Sequence, residues 1–260
     1  SGSTAVSSML AACGVGYGDE VIVPALTWVS TAEAVVMVGA KPVFWDTDQD
    51  GLLASDWDQA ITSKTKAVIP VHLYGKMVDM RVLSQKARAN SVLIIEDAAQ
   101  AFGAVQEGKF AGTWGEVGCL SFYPTKNVGA LGEAGMCLSQ NSRIAELIKL
   151  LLNHGQPKRD RHLLIGRNSR IDSLQAGFLN VMLDRFEAFQ QIRKAQANIY
   201  CSQFSDLVRI VLPTGIEEQT HNAHLFVIQT DQRDELQAFL KRKGIGTAIH
   251  YPSILPAMGI

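Results

Sequence analysis

Residues 121–127 read SFYPTKN, so a lysine follows an apolar run and leads into a glycine cluster. Burial makes a protonated lysine costly, and the neutral amine that results is a nucleophile for a carbonyl carbon. Lys126 is therefore a candidate Schiff-base former, with a solvated lysine at a strand end as the alternative. In IIEDAAQAFG, Glu96 and Asp97 close the strongest strand candidate. Alternation along a strand sends their side chains in opposite directions, so only one of them faces a given site. A carboxylate there can hold a proton on the ring nitrogen of a bound heterocycle, and the alternative is an N-cap for the next helix.

The opening SGSTA sets Gly2 before Ser3 and Thr4 at the start of an apolar helix. Helix N–H groups and two hydroxyls would hold a phosphate, or the hydroxyls simply cap the helix. Trp28, just past another strand candidate, can stack on a flat ring or sit in the core. Ser121 offers a further hydroxyl to the same phosphate. The glycines at 129, 132 and 135 do not form a GxGxxG dinucleotide fingerprint and precede a strand rather than a helix, so they read as a tight turn around Lys126. In PKRDRH, Lys158, Arg159, Arg161 and His162 make a basic loop that is either solvated or receives a phosphorylated substrate.

These residues need a frame. Val- and Ile-rich runs at 20–26, 41–46, 66–73, 92–97, 117–123 and 135–139 read as strands, nearly continuous in hydrophobicity and hence buried on both faces. Helical spacing marks 4–13, 30–38, 55–61, 79–89 and 141–153. The alternation predicts an α/β fold with a mostly parallel sheet between helices, whose ligands bind beyond the carboxyl ends of the strands. A long helix, with room for a bend, is expected over 171–204. Beyond it, RIVLP, HLFVIQT, RDELQAFLKRKG and GTAIHY read as a small α+β lobe. The expected division is a large domain over 1–170, a connecting helix over 171–205 and part of a small lobe over 206–260.

A chain of 260 residues can bury a large core, and its net charge of −1 gives no electrostatic footprint for nucleic acid. No run is long and apolar enough to span a bilayer, so a soluble protein without a membrane partner is expected. The four cysteines stand far apart, with no CxxC pair, which suggests neither a metal site nor a redox dithiol and fits buried thiols in the reducing cytoplasm.

The segments SGSTAV, GDEVIVPALTWVSTAEAV, GAKPVFWD, IPVHLYG, IEDAAQAFGA, SFYPTKNVGALGEAG, NHG, GRNSRIDSLQAG and IHYP occur in order along nearly the whole chain. The chain thereby resembles the DegT/DnrJ/EryC1/StrS aminotransferases, fold type I pyridoxal 5'-phosphate (PLP) enzymes that mostly aminate nucleotide-linked keto-sugars. The resemblance implies a seven-stranded sheet in the large domain, and family segments before SGSTAV and after HYP. It makes Lys126 the Schiff-base lysine and proton carrier, with Asp97 on the pyridinium nitrogen. Trp28 is implied against the ring, Gln100 near its O3' hydroxyl, and Gly2, Ser3, Thr4 and Ser121 around the phosphate. Asn168 is implied to reach the cofactor of a partner subunit, which makes the protein a homodimer with shared sites.

Arg159, Arg161, His162, His250 and Tyr251 are the implied substrate-side residues. Relatives with histidine at the lysine position perform dehydration, so Lys126 favours amino transfer, with glutamate as donor and the PLP and pyridoxamine (PMP) forms alternating. The NSRIDSLQAG and HYP segments look closest to enzymes of 3-keto nucleotide sugars that make amino sugars for surface polysaccharide. A cyclitol or other cyclic ketone is the alternative substrate, and a non-catalytic regulator or inactive fragment the alternative role. One departure stands out: the usual Gly-acid-Gly-Gly loop reads GEAG, so Ala134 would be strained if that position required positive φ.

Overall fold

The computed structural model describes residues 1–258. A six-stranded sheet runs in the order β2 (Lys41–Trp45), β1 (Glu20–Pro24), β3 (Thr65–Val68), β4 (Leu93–Asp97), β7 (Val117–Ser121), β8 (Gly135–Leu138). All neighbours are parallel except β7 and β8, which are antiparallel. Each of the six hydrophobic runs supplies one strand. The sheet thus has six strands among the described residues, where the resemblance implies seven. β5 (Val105–Gln106) and β6 (Lys109–Phe110) form a separate hairpin.

Burial explains why these runs form strands. Every residue of β1 and β7 is buried, as expected for parallel strands covered on both faces. Helix α1 (Gly2–Ala12) packs on β7 and β8 with Met9 and Leu10 fully inaccessible, and α2 (Ser30–Met37) lies beside it. α3 (Met80–Ala89) buries Met80, Leu83 and Ala87, one face at helical spacing, and is capped by Asp79. α4 (Ser142–Leu152) is capped in the same way by Asn141. The segment expected as a helix over 55–61 is a single 3₁₀ turn, Trp57–Ala60, that buries Trp57.

The expected long helix is two: α5 (Ser173–Leu183) and α6 (Phe186–Phe204). At the junction the Arg185 N–H bonds to Met182 O, three residues back, so the α ladder is interrupted. The break lets Phe186 meet Phe102 edge-on, with ring centroids 4.9 Å apart, over Gly103, where a Cβ would overlap its ring. After α6 only α7 (Arg233–Arg242) forms as expected. RIVLP, HLFVIQT and GTAIHY make no strand among the described residues; Val211 and Gln229 share one isolated antiparallel bridge. Strand propensity without a ladder of partners does not make a sheet, and Val211 is itself half exposed. A small second core of Ala197, Ile216 and Ala223 ties this region to α6. Of the four thiols only Cys119 is buried, and the others are half-buried.

No helix of the described residues is long and apolar enough to cross a membrane.

Candidate active site

Asp97 and Glu96 end β4 and face opposite ways. Glu96 is fully buried, bonded to His72 Nε2 at 3.0 Å and to the backbone N–H groups of Gly112, Trp114 and Gly115 at 2.8, 2.5 and 2.8 Å. His72 Nδ1 accepts from Val78 N–H, so Nε2 donates to Glu96. That carboxyl is consumed in pinning the loop after β6. Asp97 instead accepts from Thr31 Oγ1 at 2.8 Å and from Ala99 N–H at 3.2 Å, with the Cys119 thiol 3.4 Å away. Thr31 comes from α2 and Cys119 lies beside Asp97 in the β4–β7 register.

Lys126 sits on the turn after β7, its N–H bonded to Tyr123 O at 2.8 Å. The side chain is half-buried, and among the described residues no carboxylate lies within ion-pair distance. Burial lowers its pKa, opposed by the negative charge of Asp97. Lys126 and Asp97 therefore act on one another across the same region. Lys126 also lines a cavity of about 730 Å³, with Asn127, Arg193 and Gln196 as its other polar walls and Phe178, Met182 and Phe189 among the apolar ones. Asp97, Trp28 and Gln100 do not line that cavity.

Trp28 and Tyr251 face each other with centroids 5.8 Å apart at 42°. Trp28 is 57% exposed, which leaves ring surface for a ligand. Gln100 accepts from Tyr74 N–H at 2.6 Å and donates to Tyr251 Oη at 3.2 Å. Its second amide hydrogen is left for another acceptor. Tyr74, a non-glycine residue at φ 59, donates its hydroxyl to His250 O. Burial raises the Tyr251 pKa, against the Gln100 hydrogen bond and with Asp97 adding to the rise. The C-terminal His250 and Tyr251 are thus brought to the Asp97 side.

The start of α1 meets the end of β7. Ser1 caps the helix, accepting from Thr4 N–H, and a Cβ on Gly2 would lie 3.0 Å from Ser121 Cβ and 3.2 Å from its Oγ. Gly2 therefore lets the Ser121 hydroxyl reach the helix N-terminus. Ser3 Oγ bonds to Ser30 Oγ at 2.7 Å, and Thr4 Oγ1 to Ser1 Oγ at 3.2 Å. Gly135 serves the same approach from β8, because a Cβ there would lie 2.6 Å from the Ser1 carbonyl. Gly135→Ala is expected to push the first turn of α1 away, costing about 1–3 kcal/mol. Thermal unfolding and phosphate-ester binding by equilibrium dialysis check this. Gly132→Ala, whose Cβ would meet only the Gln175 side chain at 3.3 Å, is expected to change little. Ala134 has no positive φ and is buried, so the strain considered from GEAG does not arise.

The other candidates lie elsewhere in the chain. Asn168 is exposed and bridges to Asn153. Arg159, Arg161 and His162 are exposed on a turn closed by a Lys158–Arg161 bridge, with Arg159 near Asp160 and His162 Nδ1 2.8 Å from His154 O. Among the described residues no hydrogen bond, ion pair or bridge links these four to Lys126 or Asp97. Conversely, Thr31, Cys119 and Tyr74 touch the site residues without having stood out in the sequence. Thr31, three residues after Trp28, could have been suspected as a partner for the acid; the other two carried no signal.

The buried His221 and His224 add a pH dependence. Burial pushes their pKa values down to about 4 and about 3, helped by Lys76 and Lys194 for His221 and by Lys126 and Arg193 for His224. The unfolded chain takes up protons near pH 6.5 while the folded chain resists, so stability falls as pH drops from about 6.5 towards 4. The loss is on the order of 1–3 kcal/mol for each histidine by pH 4, and urea unfolding across that range reads it.

The donor set fits PLP. Asp97 is anchored with oxygen lone pairs remaining, a half-buried amine lacks an ion-pair partner among the described residues, one aromatic face is open, and the close Gly2–Ser121 approach sets a hydroxyl at a helix N-terminus, where a phosphate could be held. The DegT/DnrJ/EryC1/StrS aminotransferase family model matches residues 1–259. The chain is 40% identical over 255 residues to a pleiotropic regulatory protein of Geobacillus stearothermophilus, covering 96% of this chain and 68% of that one. It is 39% identical over 254 residues to UDP-N-acetyl-3-dehydro-alpha-D-glucosamine 3-aminotransferase of Acidithiobacillus ferrooxidans, covering 97% and 69%. The crystal structure of DesV of S. venezuelae in complex with a ketimine intermediate superposes with a TM-score of 0.96 at 38% identity, over 100% of this chain and 71% of that one.

Proposed function

The chain belongs to the DegT/DnrJ/EryC1/StrS aminotransferase family, a PLP-dependent family, and we propose that it aminates the 3-keto group of a nucleotide-linked sugar with glutamate as donor. The observation that carries this reading is that Asp97, anchored by Thr31, ends β4 directly beside β7, whose following turn carries the half-buried Lys126. The 3-keto position is supported by the relative whose name specifies a 3-dehydro UDP-sugar. A regulatory role is suggested by one relative's name, but a regulator would have no need of a desolvated amine beside a held carboxylate.

When bound, PLP supplies an electron sink for the bond broken at the donor's Cα. Asp97 holds a proton at the ring nitrogen, and Thr31 and the Ala99 N–H keep that carboxylate in place. Lys126 Nζ, whose pKa burial lowers, takes the proton lost from the donor's Cα and later delivers one to the sugar carbon that receives nitrogen. Trp28 covers the ring, and Gln100, steadied by Tyr74 and Tyr251, directs an amide hydrogen towards its O3' hydroxyl. The N–H groups at Gly2 and Ser3, with the Thr4 hydroxyl and Ser121 Oγ, hold the phosphate. His250 and Tyr251 meet the sugar from the same side.

Asn168 belongs to a second site in this reading: Asn168 of the partner subunit reaches the cofactor phosphate of the first, and the loop with Arg159, Arg161 and His162 meets the nucleotide diphosphate there. Their lack of any bond to Lys126 or Asp97 within one chain fits a homodimer with shared sites. Residues 1–170 act as the cofactor domain, 171–205 as the connection and 206–260 as part of a small lobe, in a cytoplasmic enzyme.

The test supplies glutamate with UDP- or dTDP-linked 3-keto-sugars, and a cyclitol ketone in parallel. Equal amounts of 2-oxoglutarate and amino sugar, identified by mass spectrometry, are the expected result. Amination of the cyclitol ketone alone would replace the sugar assignment.

A further inference from the structure

Three buried polar side chains with no part in the scheme above meet beside the reacting lysine. Asn127, the residue after Lys126, is 8% exposed, Asn222 2% and His224 7%. Asn127 Nδ2 donates to Gln190 Oε1 at 3.1 Å and to Asn222 O at 3.0 Å. This orients the amide with Oδ1 as acceptor, so His224 Nδ1, 3.0 Å away, carries the hydrogen and the imidazole is the neutral Nδ1–H form. Asn222 Nδ2 donates to the carbonyl oxygens of Gln100 and Phe102 at 2.9 and 3.0 Å, and its Oδ1 accepts from His224 N–H at 2.9 Å. From α6, Gln190 Nε2 donates to Asn222 O at 2.5 Å and Arg193 to His224 O at 3.3 Å.

One network therefore joins the lysine turn, the Gln100 loop, α6 and the turn at 221–224. That turn is conformationally demanding. Ala223 adopts φ 50, which non-glycine residues rarely do, and Gly75 at φ +99 passes so close that a Cβ would overlap Asn222 Oδ1. Strain kept around a buried polar cluster whose two asparagine amides are fully hydrogen-bonded points to a geometry held for function, because apolar side chains could fill the same volume without it.

We infer that Asn127, Asn222 and His224 are positioning residues, which clamp the Lys126 turn to the carbonyl of Gln100 and so fix where the amine stands relative to Asp97. The inference rests on Lys126 being the reacting amine. The clamp acts through the backbone, so loosening it misplaces Nζ and admits water to it.

The experiment compares Asn127→Ser, Asn222→Ala, His224→Leu and His224→Gln in the full chain, the last retaining an N–H for Asn127. Two quantities are read: kcat and KM for the amino donor, and, in cofactor-free protein, the pH midpoint for acylation of Lys126 followed by mass spectrometry of its peptide. Expected is a fall in kcat of about 10–100-fold with KM for the donor within about threefold, since small misplacement at a reacting centre costs rate rather than binding. The acylation midpoint moves up as the amine becomes hydrated, and His224→Gln recovers most of both effects.

His72→Gln, which disturbs the buried Glu96 pair, is expected to lower stability without moving the midpoint, and should Asn222→Ala not fold, Asn127→Ser tests the same link. Variants that lose stability like His72→Gln but keep the wild-type midpoint and kcat overturn the inference. Lys126→Ala run alongside separates the two levels: activity retained there overturns the lysine assignment, whereas activity lost there with an intact clamp phenotype supports both.

Discussion

Lys126→Ala is expected to abolish the visible absorption band of covalently attached PLP and to lower kcat by about 10⁴-fold or more, the upper range for one positioned proton-transfer group. Two properties are lost together. The variant has no amine to attach the cofactor aldehyde and none to carry the proton from the donor's Cα. A nearby base cannot substitute easily: Asp97 is committed to Thr31 and Ala99, the Cys119 thiol is buried with a pKa raised well above its usual value, and His224 Nδ1 is held by Asn127. Spectra of the purified variant with PLP and single-turnover product analysis check the prediction. The pH dependence has a definite sign in the wild type: the neutral fraction of Lys126 grows as pH rises through its lowered pKa, so the acid limb of kcat lies below that of an exposed lysine. A band that persists in Lys126→Ala would mean that another residue bears the cofactor.

Asp97→Asn carries the second large effect, a fall in kcat of about 10²–10³-fold, the scale of losing one preorganised electrostatic partner at a site of developing charge. The amide preserves volume and can keep the Thr31 contact, so the fold is expected to survive. What it cannot do is hold a proton at the ring nitrogen. The variant also separates two explanations of the rate. Asp97 raises the pKa of Lys126, so removing its charge leaves the amine more often neutral and would, by itself, help the reaction. A large loss of kcat despite a better base therefore assigns the effect to the carboxylate's work on the ring. Steady-state kinetics across pH and a PLP titration of the apo chain read the two contributions separately. Unchanged kcat in Asp97→Asn would remove the carboxylate from the mechanism.

Local chemistry makes part of this molecule legible in its sequence. Six hydrophobic runs of strand length became the six strands, because burial on both faces writes itself as continuous Val, Ile and Leu. The period-two geometry of a strand separated Glu96 from Asp97 without saying which one faced the site. The ends of α5 and α6 were not legible, because the break at Asp184 and Arg185 follows from Phe186 docking on Phe102 and Gly103, a contact between residues more than eighty positions apart. The expected C-terminal strands failed for the same kind of reason. Val-, Ile- and Phe-rich segments need neighbours in register, and one bridge between Val211 and Gln229 is all the described residues provide.

The residue types at 97 and 126, and their places at the ends of two buried strands, were decided by the sequence alone, since strand burial and side-chain chemistry are local properties. Tertiary structure alone decided that Thr31 anchors Asp97, that Tyr251 closes against Trp28 and Gln100, and that Asn222 and His224 reach back to the lysine turn. Hydrogen bonds between residues about 65 to 150 positions apart depend on how helices and strands pack, and no spacing in the chain encodes them.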